Sequence, residues 1–365
     1  MQTIYGNELW RLLLLLPLLV GLGACQSAPT ESIVYIAGGG IHTYRMNLLT
    51  GAMEHVATSD EVKPNFLDLH PNGNLLYAVD DDVNAFSIDH ASGQVTLLNN
   101  KPPGGQSPCH IVVDSQGKNV LVANYTDGSV AALPIADDGQ LKDPSSVHKH
   151  EGSSVNASRQ EGPHAHSINL SPDDRFAFCA DLGIDQVVVY RFNTATGQLE
   201  KSGLAPVAPG AGPRHFTFHP SGDYAYVINE LGNTVVAFSY DKENGVLTEI
   251  QTIKTLPDDF TEASYTAEVL IDPTGRFLYG SNRGHESIVV YSINEGKLSL
   301  IEHEPTQGKH PRNFRIDPTG RFLLVANTQS SNVVTFRINP VTGELDATGR
   351  VLEIPGPMCI KFWIP

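Results

Sequence analysis

GPHAHSINLSPDDRFAFCADLGIDQVVVYRFNTATGQL, residues 162–199, contains three runs of alternating character, each closed by turn chemistry: SPDD, ADLGID and NTATGQ. Short alternating runs divided by such turns read as an antiparallel meander. Versions of the stretch recur along the chain, so it is one unit of a repeat protein. A proline at the strand-to-turn signal anchors each unit: Pro71 in HPNG, Pro172 in SPDD, Pro220 in HPSG, then Pro273 and Pro318 in DPTG. Ser115 of DSQG takes that place once, and Pro365 ends the series. The intervals of 44 to 57 residues are the spacing of propeller blades with three or four strands each.

The two ends complete one another. From Ile33 the strands IVYIAG, IHTYRMN and MEHVAT form a unit without its first strand, and the chain finishes on a lone first strand, CIKFWI. Joined, they make one blade and bring the total to seven, which removes an open sheet edge. The expected fold is therefore an all-β, seven-bladed β-propeller over residues 33–365, its ring closed by the C-terminal strand completing the N-terminal blade. It is one domain, because no blade buries both faces alone. A ring closed on itself needs no partner, so a monomer is expected.

Ahead of the propeller, Leu12–Leu22 is an almost unbroken apolar run behind Arg11 and is followed by Gly23, Ala24 and Cys25. It is too short to span a bilayer and fits a signal-peptide core. Leu22 to Cys25 resembles a lipoprotein cleavage box. The expectation is a signal peptide over 1–24, a lipid-modified Cys25 and a polar tether over 25–32. That makes an envelope lipoprotein facing the periplasm or the outside, with a soluble secreted or periplasmic protein as the alternative. Cys109, Cys179 and Cys359 show no metal-ligand pairing in their spacing and read as small buried hydrophobes. A net charge of -16 argues against nucleic acid as a partner and requires a local basic patch for any anionic ligand.

Repeat register locates that patch. Six residues before the anchor stand Asn65, Cys109, His166, Arg214, Ala267, Arg312 and Cys359; the next column holds Phe66, His110, Ser167, His215, Glu268, Asn313 and Ile360. Both columns vary from unit to unit, as a functional ring on a repeating scaffold should. Nine residues after the anchor the residue is always Asp or Asn, including Asp181, Asn229 and Asn282, which reads as turn-capping scaffold. Hairpin pairing sets Arg214 opposite Asn229 and beside Glu230, and His166 opposite Asp181, whose carboxylate is expected to raise the imidazole pKa. One rim thus gathers His110, His164, His166, Arg214, His215, Glu230, Glu268, Arg283 and Arg312. Three arginines at one mouth reverse the global sign and point to an anionic small molecule.

Each residue has a plainer reading: an arginine at a strand end is often a solvated or ion-paired rim residue. His164 and His166 could serve as metal ligands, but spacing supplies no third ligand, and neither a metal nor another cofactor is expected. AGGG at 37–40 lacks the context of a phosphate loop, and no GxSxG or HExxH occurs. The insertion from His148 to Gly162 precedes a first strand, which puts it over the same mouth as a lid or wall.

GSSVNASRQEGPHAHSI, GPRHFTFHP with VINELGNTV, and DPTGRFLYGSNRGHESIVVY resemble the lactonase family of seven-bladed propellers. That family includes the propeller-type 6-phosphogluconolactonase of bacteria and relates to the fungal propeller-type muconate cycloisomerases. The resemblance runs from about Ile33 to Pro365. It implies that His164 and His166, Arg214, Glu230 and Arg283 match the family's active-site positions, and that the substrate is a lactone. With the expected export signal a phosphosugar lactone would be scarce, so the expected substrate is another lactone, such as a sugar lactone, with loss of activity as the alternative. The expected chemistry is metal-independent hydrolysis. His164 or His166, or else Glu268, would be the base, with Arg214 and Arg283 stabilising the oxyanion and Glu230 orienting Arg214. His110, His215, Glu268, Asn282 and Arg312 would contact substrate. A propeller that binds an anionic ligand or a protein without turnover is the alternative.

Overall fold

The computed structural model describes residues 1–3 and 29–364; the expected signal stretch from Ile4 to Ala24, Cys25 and Pro365 lie outside the described residues. Among the described residues, twenty-eight strands form seven four-stranded antiparallel sheets. The innermost strands are Phe66–Leu69, Pro108–Val113, Ala165–Leu170, Pro213–Phe218, Tyr265–Ile271, Pro311–Ile316 and Cys359–Trp363. Each packs against the innermost strands on either side, so they line the axis of a closed ring. Closure runs as the sequence implies, with Cys359–Trp363 pairing antiparallel to Glu31–Ala37. This blade starts two residues before Ile33, because Ser32 is buried and its hydroxyl donates to the Trp363 carbonyl at 2.7 Å.

Burial within a blade follows from its place between neighbours. Second strands such as Asn119–Asn124, Phe176–Asp181 and Phe322–Asn327 are buried at every residue, since both faces meet another blade. Outermost strands such as Val246–Lys254 hold only exposed and half-buried residues. The DPTG anchor has a local cause. Asp317 accepts from the backbone N–H groups of Thr319 and Arg321, both at 2.8 Å, and of Phe322 at 2.5 Å. One carboxylate thus closes the turn and starts the next strand.

Blades are also stapled to one another. The hydroxyls of Tyr35, Tyr77, Tyr226 and Tyr279 donate to the carbonyls of Gly93, Gly139, Gly296 and Gly343, at 2.8 to 3.0 Å. Each tyrosine lies on a second strand, and each glycine lies in an outer turn of the next blade. These glycines have φ of 77 to 85°, a region that other residues enter only with strain. The bonds give buried phenols a partner and make the axial ring a rigid frame for side chains.

Candidate active site

In five blades the innermost strand slips register after its first one or two pairs. The residues thrown out of the ladder are Cys109, His166, Arg214, Ala267 with Glu268, and Arg312. A bulge re-aims its side chain, and this one turns the sixth-before-anchor column toward the axis. It also corrects the expected pairings. Pro213, not Arg214, lies opposite Asn229, and Ala165, not His166, lies opposite Asp181.

The two variable columns part company. Asn65, Cys109, His166 and Arg312 line a cavity of about 510 Å³ at one mouth, with Tyr125, Arg159, Glu230, Tyr265, Arg283 and His310. Phe66, His110, Glu268 and Asn313 line a chamber of about 480 Å³ at the other mouth, where Arg315, Lys361 and Asp68 stand. Between them is a neck with only about 10 Å³ for the centre of a water molecule, bordered by His166, Arg214, His215, Arg312 and Asn313 among others. The single rim expected from sequence is therefore two chambers and a neck. His110 and Glu268 belong to the far chamber, His215 and Arg214 to the neck.

Glu230 organises the first cavity. Its Oε2 receives Arg214 Nε at 2.9 Å and Arg283 Nη2 at 2.9 Å, and its Oε1 receives Arg159 Nη2 at 2.7 Å. Burial works to raise its pKa, but Arg283, Arg214 and Arg159 together bring it down to about 2. Arg214 is 1% exposed and gives Nη1 to the Ala267 carbonyl at 2.8 Å, while Arg283 reaches the carbonyls of Tyr265 and Thr266 at 3.2 and 2.6 Å. Burial lowers both guanidinium pKa values to about 10, which leaves both charged at neutral pH.

Arg312 is different. It lines both cavity and neck, yet has no hydrogen bond or ion pair among the described residues. Burial, then Arg283, lowers its pKa. His310 registers the same field: burial and the charges of Arg283, Arg312 and Arg214 push it down to about 4. The cavity is thus electropositive inside an acidic protein, and one of its guanidinium groups faces it unpaired.

His166 is 5% exposed, and its Nε2 lies 3.9 Å from Glu230 Oε2. Burial, followed by Arg214, His215 and Arg312, holds its pKa well below 6.5, the reverse of the rise expected from Asp181. The Asp181 carboxylate instead accepts the backbone N–H of His164 at 2.7 Å and of Gly183 at 3.0 Å, and pairs with His150 Nδ1 at 2.5 Å. Asp181 is scaffold. His164 also stands outside the cavity, stacked on Tyr125 at 4.5 Å, with Nδ1 3.0 Å from the Tyr125 carbonyl. It braces a wall. Asn282 does not reach the site either: it is fully buried, and its amide donates to Thr255 O and Ser287 Oγ at 2.9 and 3.2 Å.

Repeat register missed Arg159, Tyr125 and His310, which lie in the segments that join strands, and Tyr265, which starts an innermost strand just ahead of the aligned columns. The one signal for Arg159 was the insertion over the mouth, and it does form a wall: besides Glu230, Arg159 reaches the Tyr125 hydroxyl at 3.3 Å. Cys109 borders the cavity, but burial pushes its thiol up to about 12, so it is an inert lining residue.

Comparison with known proteins agrees with this architecture. The family described as "Lactonase, 7-bladed beta-propeller" matches residues 28–362. A 6-phosphogluconolactonase of Bacillus subtilis is 38% identical over 338 residues, covering 90% of this chain and 96% of the relative. Among solved structures, a putative 6-phosphogluconolactonase of Bacteroides fragilis superposes with a TM-score of 0.86 at 31% identity, covering 92% of this chain and 99% of the other. A periplasmic gluconolactonase of Pseudomonas aeruginosa gives a TM-score of 0.86 at 27% identity, with the same coverage.

Proposed function

The chain belongs to the seven-bladed β-propeller lactonase family, and on that premise we propose that its electropositive cavity hydrolyses an anionic, sugar-type lactone without a metal ion. The observation that carries this reading is the guanidinium of Arg312, unpaired among the described residues, with Arg283 and a neutral His166, all lining one cavity. A volume of about 510 Å³ suits a sugar lactone.

Water attacks the lactone carbonyl carbon while His166, neutral at physiological pH, takes a proton from it. Charge develops on the carbonyl oxygen, and Arg312 and Arg283 stabilise it from fixed positions. As the intermediate collapses, the carbon–oxygen ring bond breaks and the ring oxygen takes the proton from the His166 imidazolium. The product is an open-chain hydroxy acid, which ionises beside the arginines. Glu230 holds Arg159, Arg214 and Arg283 in place. Its depressed pKa makes it a poor base and a good anchor. Arg214, buried under the cavity, positions Glu230 rather than the substrate.

We assign the protein to the cell envelope through a lipid on Cys25, consistent with a gluconolactonase described as periplasmic among the structural relatives. Mass analysis of the N-terminal peptide from an envelope fraction tests this; an unmodified Cys25 in the mature protein overturns it. For the reaction, the chain from Gln26 onward is offered phosphorylated and unphosphorylated sugar lactones, with and without chelator. Chelator-resistant hydrolysis that disappears in His166→Asn is the expected result. No turnover of any lactone, with ligand binding retained, would leave a binding propeller instead.

A further inference from the structure

Hydrolysis of a lactone to a carboxylate releases one proton per turnover, and that proton arises deep in the cavity, beneath the substrate. A second set of groups leads away from it. His166 borders the neck as well as the cavity; across the neck stands His215, with ring centroids 5.5 Å apart. His215 Nδ1 lies 2.8 Å from Glu268 Oε1, and the other carboxylate oxygen accepts from the Asn313 amide. Glu268 and Asn313 both line the chamber at the opposite mouth.

We propose that His215 and Glu268 form a proton relay that carries the proton of lactone hydrolysis from His166, through a water in the neck, to the opposite mouth of the propeller. This rests on the lactonase reading above. The neck has about 10 Å³ for the centre of a water molecule, roughly what one water needs. It is bordered by partners for that water: His166, His215, Arg214, Arg312 and Asn313.

The roles follow from the bonds. The carboxylate of Glu268 can only accept, so His215 Nδ1 carries the hydrogen and Nε2 keeps a lone pair. The groups facing the pair are Arg214, Arg312, His110 and His166 around His215, and Arg214, Asn313 and the Cys359 thiol around Glu268. When the product acid ionises, its proton returns to His166 at one ring nitrogen. The other ring nitrogen passes a proton to the water, and the water protonates His215 Nε2. His215 Nδ1 then gives its hydrogen to Glu268, which releases it to solvent in the far chamber. No oxidant or co-reactant is needed; the water and Glu268 return to their starting states, while each imidazole is left as its other tautomer and turns its ring before the next transfer.

Glu268→Gln keeps the shape and removes the acceptor. Turnover of a sugar lactone is measured at low and high concentrations of a small imidazole buffer, with the thermal midpoint read on the same samples. The expected result is a kcat at least tenfold below wild type in dilute buffer, an unchanged KM, and recovery toward the wild-type rate as buffer rises. Glu268→Asp restores most of the rate without buffer. A Glu268→Gln enzyme that matches wild type, or one whose loss no buffer relieves in a folded sample, overturns the relay while the lactonase reading stands. A wild-type chain that turns over no lactone overturns both.

Discussion

Arg159 Nη2 lies 2.7 Å from Glu230 Oε1, joining the inserted segment before one blade to the inner rim of the next across 71 residues of sequence. The carboxylate it meets already holds two buried arginines, so Arg159 is the outermost of three cations on one anion. Its side chain is 35% exposed, which makes it the member best placed to turn from Glu230 to an incoming anion.

Arg159→Gln should therefore raise KM for an anionic lactone by about tenfold, the loss of one charge-assisted contact. Stability should change little, since a partly exposed pair contributes about 0–1 kcal/mol after solvent screening. Steady-state kinetics beside a melting curve checks both; a collapse of the melting temperature would make the segment a structural strap.

Arg312→Gln should separate chemistry from stability more sharply. Its guanidinium is largely desolvated and unpaired among the described residues, so its loss should leave the unfolding midpoint unchanged or higher. By contrast, kcat/KM should fall by about 10²–10³-fold, the effect of removing one oxyanion donor. Unchanged kcat/KM would remove Arg312 from the mechanism.

Glu230→Gln should do the opposite. Three arginines lose their common carboxylate in a site where Glu230 is 5% exposed, and unfolding should become easier by about 3–5 kcal/mol. Denaturant titration measures this directly. A loss below about 1 kcal/mol would mean that the arginines repel one another less than their packing implies.

Acid should weaken the fold earlier than carboxylates alone would predict. His110, His166 and His215 all have folded pKa values held below 6.5, chiefly by burial. Below pH 6.5 the unfolded chain binds protons that the folded chain refuses, so stability falls as pH falls from there. The slope is up to about 1.4 kcal/mol per pH unit for each histidine. The Glu230 contribution is present above pH 4.5 and is lost as pH falls toward about 2. Melting temperatures measured from pH 8 to pH 5 should decline below about 6.5; a flat curve over that range counters the axial histidine cluster.

Much of the molecule was legible from its turns. The spacing of Pro71, Pro172, Pro220, Pro273 and Pro318, with Ser115 and Pro365 in the same place, marks seven blades and their closure, because turn motifs are fixed by local bonds such as those of Asp317. The column containing His166 and Arg312 was legible for the same reason: equal spacing from equal turns puts residues at equal heights on the ring.

What sequence reading could not supply was the direction of a side chain once the ladder slips. A bulge at His166 and Arg214 shifts the pairing by one residue, which parts them from Asp181 and Asn229, and no periodicity in the chain marks that slip. Nor could it see that the adjacent residues Arg214 and His215 make contacts directed toward opposite mouths of the channel, or that Arg312 lines one cavity while its neighbour Asn313 lines the other. The sequence alone determined the repeat, the ring and the cationic character of its lining, all consequences of local turn chemistry and composition. Only the tertiary structure decided that Glu230 gathers three arginines, that Arg312 is left over, and that Arg159 joins them. Those relationships arise where strands from separate blades converge on an axis, and convergence brings together charges that lie far apart in the chain.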